Sequence, residues 1–133
     1  MNTFKAEVAK IDSQGEFYII HVHVKRDLLK LLKLELPAWL SVDDKVECSI
    51  QEAAISICKG DDDDRVSIEN RIEAEVVEFR EGDLLSEVTL STACGPVVSL
   101  ITTQARKRMQ IEKGNNVMLL LKAVDIKLDP ILA

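Results

Sequence analysis

The sequence predicts an all-β protein built from two tandem copies of one small unit. Short apolar segments alternate with Gly, Asn and Asp turns along the 133 residues, which is typical of many short strands. Between residues 20 and 24, three apolar side chains alternate with His21 and His23, as in a strand with one buried face. The strand pattern of the second half also occurs in the first half. A hydrophobic content of 47% is sufficient for a folded core.

The second half shows this pattern most clearly. Its turns are predicted at Gly82, Gly95 and Gly114, where glycine tolerates backbone conformations that other residues avoid. The strand-like segments between these turns are residues 74–79, 86–90, 97–101 and 117–121.

The first half is predicted to repeat the second. Residues 4–8 align with residues 72–76 at an offset of 68, and residues 46–57 align with residues 117–128 at an offset of 71. Since loops absorb length changes at little cost, the three-residue difference is expected in the hairpin loops near residues 23–26 and 91–97.

A run of four aspartates lies between the two copies. Adjacent like charges repel one another and carry no apolar anchor, so residues 61–65 are predicted to be an acidic linker. The predicted domains are therefore residues 1–60 and residues 66–133.

Composition excludes several classes of protein. A net charge of −6 and an aromatic content of 4% argue against a nucleic-acid partner, which requires clustered basic or stacking side chains. The basic segment Arg106, Lys107 and Arg108 is predicted to be a solvated face. The chain has no apolar run of the roughly 20 residues that a membrane span needs and no signal-like start, so a cytoplasmic protein is expected. Its three cysteines lack metal or disulfide spacing and are expected to be reduced, buried thiols.

The residues that could carry chemistry favour binding over catalysis. His21 and His23 share one strand face and could chelate a metal, but no third ligand is placed near them, which favours ordinary solvent-facing residues. The sequence contains no nucleophile elbow and no phosphate-cradling glycine loop. We therefore expect a binding protein and no enzyme.

An ordered set of short motifs runs through the second half. These are Ser67 with Asn70, Gly82, Glu87-Val88, Ile101-Thr102, Gly114 and Lys122-Ala123. In this order and spacing the chain resembles the Mop domain, the molybdate-binding member of the TOBE family. The resemblance implies two tandem five-stranded β-barrels of the OB-fold type.

The resemblance also implies a binding site for molybdate or tungstate in the second copy. In the family, hydroxyl, amide, backbone N–H and lysine donors surround the oxyanion and meet between domains of an oligomer. Carried onto this sequence, the oxyanion-binding set is Ser67, Ile68, Glu69, Asn70, Thr102, Lys122, Ala123 and Val124. Two positions depart from the family pattern, because Glu69 replaces an arginine and Val124 replaces a serine. Glu69 is therefore expected to weaken binding if its carboxylate points into the site.

The first copy retains little of this set. Gln51 lies at the position of Lys122, and Leu31 is aligned with Thr102. The function that the resemblance implies is molybdate or tungstate binding for molybdenum storage, homeostasis or sensing. It further implies a homo-oligomer, most simply a trimer, with molybdate transport or regulatory proteins as possible partners. The alternative is a module of the same descent that binds no ligand and serves protein–protein assembly.

Overall fold

Two five-stranded antiparallel sheets make up the computed structural model, which describes residues 1–60 and 65–131. The strand order is β10-β4-β1-β2-β3 in the first sheet and β5-β9-β6-β7-β8 in the second. The strands are β1 Asn2–Gln14, β2 Phe17–Val24, β3 Asp27–Lys33, β4 Lys45–Ile50, β5 Ile55–Cys58, β6 Asn70–Glu81, β7 Leu85–Thr92, β8 Gly95–Thr102, β9 Asn116–Leu121 and β10 Lys127–Pro130. One helix, α1 (Thr103–Met109), and two 3-10 turns, Glu52–Ala54 and Ala123–Asp125, complete the elements described here.

Burial alternates along the long strands, as the sequence pattern predicts. In β1 every second residue from Asn2 to Val8 is buried, and β6 shows the same alternation from Asn70 to Val76. Successive side chains of a strand point to opposite faces, so one face of each sheet supplies the core. Buried apolar residues of both halves pack into one continuous cluster.

The fifth strand of each sheet comes from the opposite half of the chain. β5 follows the first repeat but pairs with β9, with Ile55 opposite Leu121. β10 follows the second repeat but pairs with β4, with Leu128 opposite Cys48. The predicted boundary at residues 61–65 separates the two sequence repeats, whereas the sheets interlock across it. Residues 61–64 of the predicted linker lie outside the described residues.

The predicted position of the length difference between the repeats is wrong. Both β-hairpins have two-residue turns, because Val24 pairs with Asp27 and Thr92 pairs with Gly95. The repeats are therefore still in register at an offset of 68 through these hairpins. The additional three residues lie between β8 and β9, where the second repeat has α1 and the first repeat has only turns. At the offset of 68, Leu31 corresponds to Ser99 and not to Thr102.

The prediction that residues 106–108 form a solvated face is wrong for Arg106. Its side chain is only 10% exposed, and its Nη2 donates to Glu81 Oε1 at 2.6 Å. Its guanidinium also lies 4.3 Å from the centre of the Phe79 ring, a cation–π distance. Lys107 and Arg108 are exposed. Three consecutive basic residues do not by themselves reveal that the first of them turns inward.

The histidines and cysteines form no metal cluster within the described residues. His21 lies 3.0 Å from Asp12 Oδ2 through its Nε2, and His23 is exposed. Of the three free thiols, Cys48 is buried, and Cys58 and Cys94 are half-buried. Within residues 1–60 and 65–131, no helix is long and apolar enough to cross a membrane.

Candidate oxyanion-binding site

Six of the eight predicted site residues line one cavity of about 240 Å³. We call it the composite cavity, because both halves of the chain form its walls. From the second half come Ser67, Ile68, Glu69, Lys122, Ala123 and Val124; from the first half come Ile19, Lys30, Leu31 and Leu32.

Strand pairing explains why the two predicted motifs meet. Asn70, the first residue of β6, is paired with Leu121, the last residue of β9. The segment that precedes β6 and the segment that follows β9 therefore emerge at the same end of the sheet. Arg71 holds the first of these segments, since its guanidinium donates to the carbonyls of Ile68 and Val66 at 3.1 Å each.

The wall from the first half is fixed by the buried side chain of Asn70. Its Nδ2 donates to the carbonyl of Lys30 at 2.7 Å, and its Oδ1 accepts from the Lys30 N–H at 2.7 Å. β3 is an edge strand, so these backbone groups face away from its only partner, β2. The amide of Asn70 is thus used to hold the two halves together.

Lys30 and Glu69 form the ion pair of the composite cavity. Lys30 Nζ lies 2.7 Å from Glu69 Oε2, and the two side chains are 37% and 69% exposed. The hydrogen bond from Lys30, followed by its positive charge, lowers the pKa of the Glu69 carboxyl. Sequence reasoning did not include Lys30 in the site. In the sequence, Lys30 stands out only as a charged residue between the apolar residues Leu29 and Leu31. This pattern equally suits a solvent-facing strand position.

The second lysine of the composite cavity, Lys122, immediately precedes the 3-10 turn Ala123–Asp125. It is exposed and forms no ion pair with any described residue. Val124, at the predicted serine position, is 52% exposed and contributes an apolar wall instead of a hydroxyl.

The structure does not bring Thr102 to this cavity. Thr102 is the N-cap of α1, where its hydroxyl accepts from the backbone N–H of Ala105 at 3.0 Å. It ends β8 opposite Leu85, on the sheet formed by the second repeat. Within one chain its hydroxyl therefore serves as a helix cap.

The position equivalent to the composite cavity in the other half has different chemistry. Asn2 repeats the contact of Asn70, because its side chain bonds the backbone N–H and carbonyl of Val98 at 2.9 and 2.8 Å. However, Val98 replaces Lys30, Gln51 replaces Lys122, and Glu52 replaces Ala123. Both lysines of the composite cavity are therefore absent from this second position, where a carboxylate is added.

Two curled, five-stranded antiparallel sheets in tandem define a double β-barrel of the OB-fold type, which confirms the predicted fold class. Residues 66–128 of the chain match the model of the TOBE domain. The resemblance noted in the sequence is thereby confirmed.

Solved structures extend the likeness to the whole chain. The cytoplasmic molybdate-binding protein ModG, crystallised with molybdate bound, is similar to this chain with a TM-score of 0.89. The two are 20% identical over 98% of this chain and 96% of that chain, so the shared feature is the fold. MopII from Clostridium pasteurianum is 25% identical over 51% of this chain and 98% of that chain, with a TM-score of 0.45. No curated protein matches the sequence.

Proposed function

We propose that this protein binds a tetrahedral oxyanion, molybdate or tungstate, in the composite cavity. The observation that carries the proposal is the meeting of two segments more than fifty residues apart, Ser67–Glu69 and Lys122–Val124, in one cavity. The predicted ligand motifs of a molybdate-binding family occupy these same two segments. The fold shared with ModG, which is described as a molybdate-binding protein, supports the same function.

The donors of the cavity suit a small dianion. The Lys122 ammonium group, the Ser67 hydroxyl and the backbone N–H groups of two chain segments lie in the walls of the cavity. Hydrogen bonds to a charged group contribute about 1.5–3 kcal/mol each, so four of them are sufficient for about micromolar affinity. Such a site supports a role in intracellular molybdenum storage, homeostasis or sensing, and none of these roles requires catalysis.

We also propose that the protein forms a homo-oligomer, most simply a trimer. Two apolar residues that line the composite cavity, Ile19 and Val124, are 39% and 52% exposed. Apolar side chains exposed beside a binding cavity are consistent with a protein–protein contact at this surface. Light scattering at micromolar concentration tests this proposal, and a mass near the 14.9 kDa of one chain would contradict it.

Elemental analysis and calorimetry test the oxyanion proposal. The purified protein is expected to carry molybdenum or tungsten, and the metal-free protein is expected to release heat on titration with molybdate. Sulfate serves as a control of the same charge and shape but smaller size.

One observation favours the alternative, a protein–protein assembly module. Glu69 places a carboxylate on the cavity wall, and a carboxylate about 4 Å from a dianion opposes binding by several kcal/mol at an effective dielectric near 20. A protein that carries no metal and binds neither molybdate nor tungstate, but still forms an oligomer, would support this alternative.

A further inference from the structure

We propose that Lys30 is an anion-binding residue of the composite cavity and that Glu69 competes with the oxyanion for it. The inference rests on the proposed oxyanion function and adds a residue from the first half of the chain to the site. It also assigns a role to the carboxylate that departs from the family pattern.

The position of Lys30 is determined by contacts that do not involve its charge. Its backbone N–H and carbonyl are both bonded to the buried side chain of Asn70, at 2.7 Å each. This segment of β3 is thereby held against the residues that precede β6. Since a lysine side chain carries three donors on a flexible stem, its ammonium group can turn from Glu69 toward an oxyanion in the cavity that it lines.

The partner of Lys30 is a weak competitor because it is accessible to water. Glu69 is 69% exposed, and ion pairs at such exposure contribute about 0–1 kcal/mol. A dianion interacts with a cation about twice as strongly as a carboxylate does at the same distance. When the oxyanion enters, Lys30 is expected to transfer a hydrogen bond to it, while the Glu69 carboxylate turns toward solvent.

The charges around the pair are consistent with this exchange. His21 lies opposite Lys30 on β2, and its ring is hydrogen-bonded to Asp12. Lys122 supplies the second positive charge on the opposite wall. While Lys30 is bound to Glu69, Lys122 is the one lysine among the described lining residues without an ion pair, and release of Lys30 supplies a second ammonium group.

The pair can be tested by titrating four proteins with molybdate: the wild type, Lys30→Met, Glu69→Gln and the double variant. Lys30→Met is expected to weaken binding about tenfold or more, the effect of losing one hydrogen bond to a charged group. Glu69→Gln removes the competitor and is expected to strengthen binding by up to about fivefold, the equivalent of an exposed ion pair. Lys30→Met should cause a similar loss of affinity in the Glu69→Gln background. That background has no carboxylate at position 69, so repulsion from an unpaired Glu69 cannot explain the loss.

A second ligand separates a charge effect from a change of shape. Perrhenate is tetrahedral like molybdate but carries one negative charge. Loss of Lys30 is therefore expected to reduce perrhenate binding less than molybdate binding. Lys113→Met, in an exposed turn far from the cavity, is the matched control and should leave both affinities unchanged. Lys30→Gln provides an uncharged variant that retains a polar side chain, should Lys30→Met fail to fold.

The outcomes distinguish this inference from the proposed function. If the wild type binds molybdate and the Lys30 variants bind it equally well, Lys30 is not a ligand and the oxyanion function stands. Equal losses for molybdate and perrhenate would show that Lys30 shapes the cavity without acting through its charge, which also overturns the inference. If no protein binds molybdate, including Glu69→Gln, the proposed function is wrong and the inference is wrong with it.

Discussion

The side-chain amide of Asn70 bonds both backbone polar groups of Lys30, forty residues earlier in the chain. The amide nitrogen donates to the carbonyl and the amide oxygen accepts from the N–H, as a neighbouring strand would do at this edge. Asn2 makes the same pair of bonds with Val98 on the other sheet. Two equivalent asparagines thus join the halves of the chain in a reciprocal manner.

Replacing Asn70 with alanine is expected to destabilise the protein by about 2–4 kcal/mol. The substitution leaves the N–H and carbonyl of Lys30 without partners, and each unsatisfied buried group costs about 1–3 kcal/mol. Urea denaturation measures the change in the free energy of unfolding. Asn2→Ala should give a similar loss, and the exposed Asn116→Ala should change stability by less than about 0.5 kcal/mol. A loss below that value for Asn70→Ala would contradict the role assigned to this contact.

Arg106 is expected to be the structural residue of the basic segment. Arg106→Ala removes the ion pair with Glu81, the bond to the Ile111 carbonyl at 3.2 Å and the contact with Phe79. We expect a loss of about 1–3 kcal/mol, below the range for a fully buried pair, because Glu81 remains 40% exposed. Thermal unfolding of Arg106→Ala and of its exposed neighbour Lys107→Ala measures the difference. Equal stabilities of the two variants would mean that the buried contacts of Arg106 contribute nothing to the free energy of unfolding.

The sequence predicts those features that depend on local pattern. Alternating burial in β1 and β6, the turns and the repeat follow from side-chain periodicity and turn residues. The family resemblance assigns Ser67 and Lys122 to one oxyanion site, and this assignment stays a prediction. Both residues line the composite cavity.

Features that depend on packing between the halves were not predictable in this way. β5 and β10 have four residues each, too few for a pattern that identifies the partner strand. Lys30 lines the composite cavity, where Asn70 of the other repeat bonds its backbone. The alignment error at Thr102 arose because the length difference was assigned to a hairpin, whereas a helix with no counterpart in the first repeat contains it.

Lys122 is predicted to contribute to oxyanion binding without contributing to stability. Lys122→Ala should weaken molybdate binding by about 1.5–3 kcal/mol, the range for a hydrogen bond to a charged group. Gln51→Ala, at the equivalent position of the first repeat, should change it little. Calorimetry on both variants measures the asymmetry between the repeats. Equal losses would indicate two equivalent sites.

The thiol of Cys48 is predicted to be unreactive in the folded protein. Burial raises the pKa of Cys48 to about 12 from an ordinary value of 9.0, so the nucleophilic thiolate is rare near neutral pH. Because the raised pKa favours the protonated thiol in the folded state, its contribution to stability is complete below about pH 9 and is lost between about pH 9 and 12. Alkylation with iodoacetamide at pH 8, followed by mass spectrometry, should label Cys48 much faster after unfolding. Rapid labelling of the native protein would contradict its burial.

The exchange of strands predicts that the two halves unfold together. Each sheet depends on a strand from the other half, since β10 completes the first sheet and β5 completes the second. Loss of one half therefore removes an edge strand from the other and exposes part of the shared core. In chemical denaturation, the fluorescence of the single tryptophan, Trp39 in the first half, should follow the same transition as the circular dichroism of the whole chain.

Fragments provide the complementary test of this interlocking. A polypeptide of residues 1–60 retains β5 but has no second sheet to accept it, and it lacks β10. A polypeptide of residues 65–131 has the reverse defect. Both are expected to lack the sharp amide spectrum of a folded domain when separate and to regain it when mixed, because each then supplies the strand that the other lacks. A fragment that folds alone, or a Trp39 transition at lower denaturant than the loss of circular dichroism, would show that the sheets are stable as independent barrels.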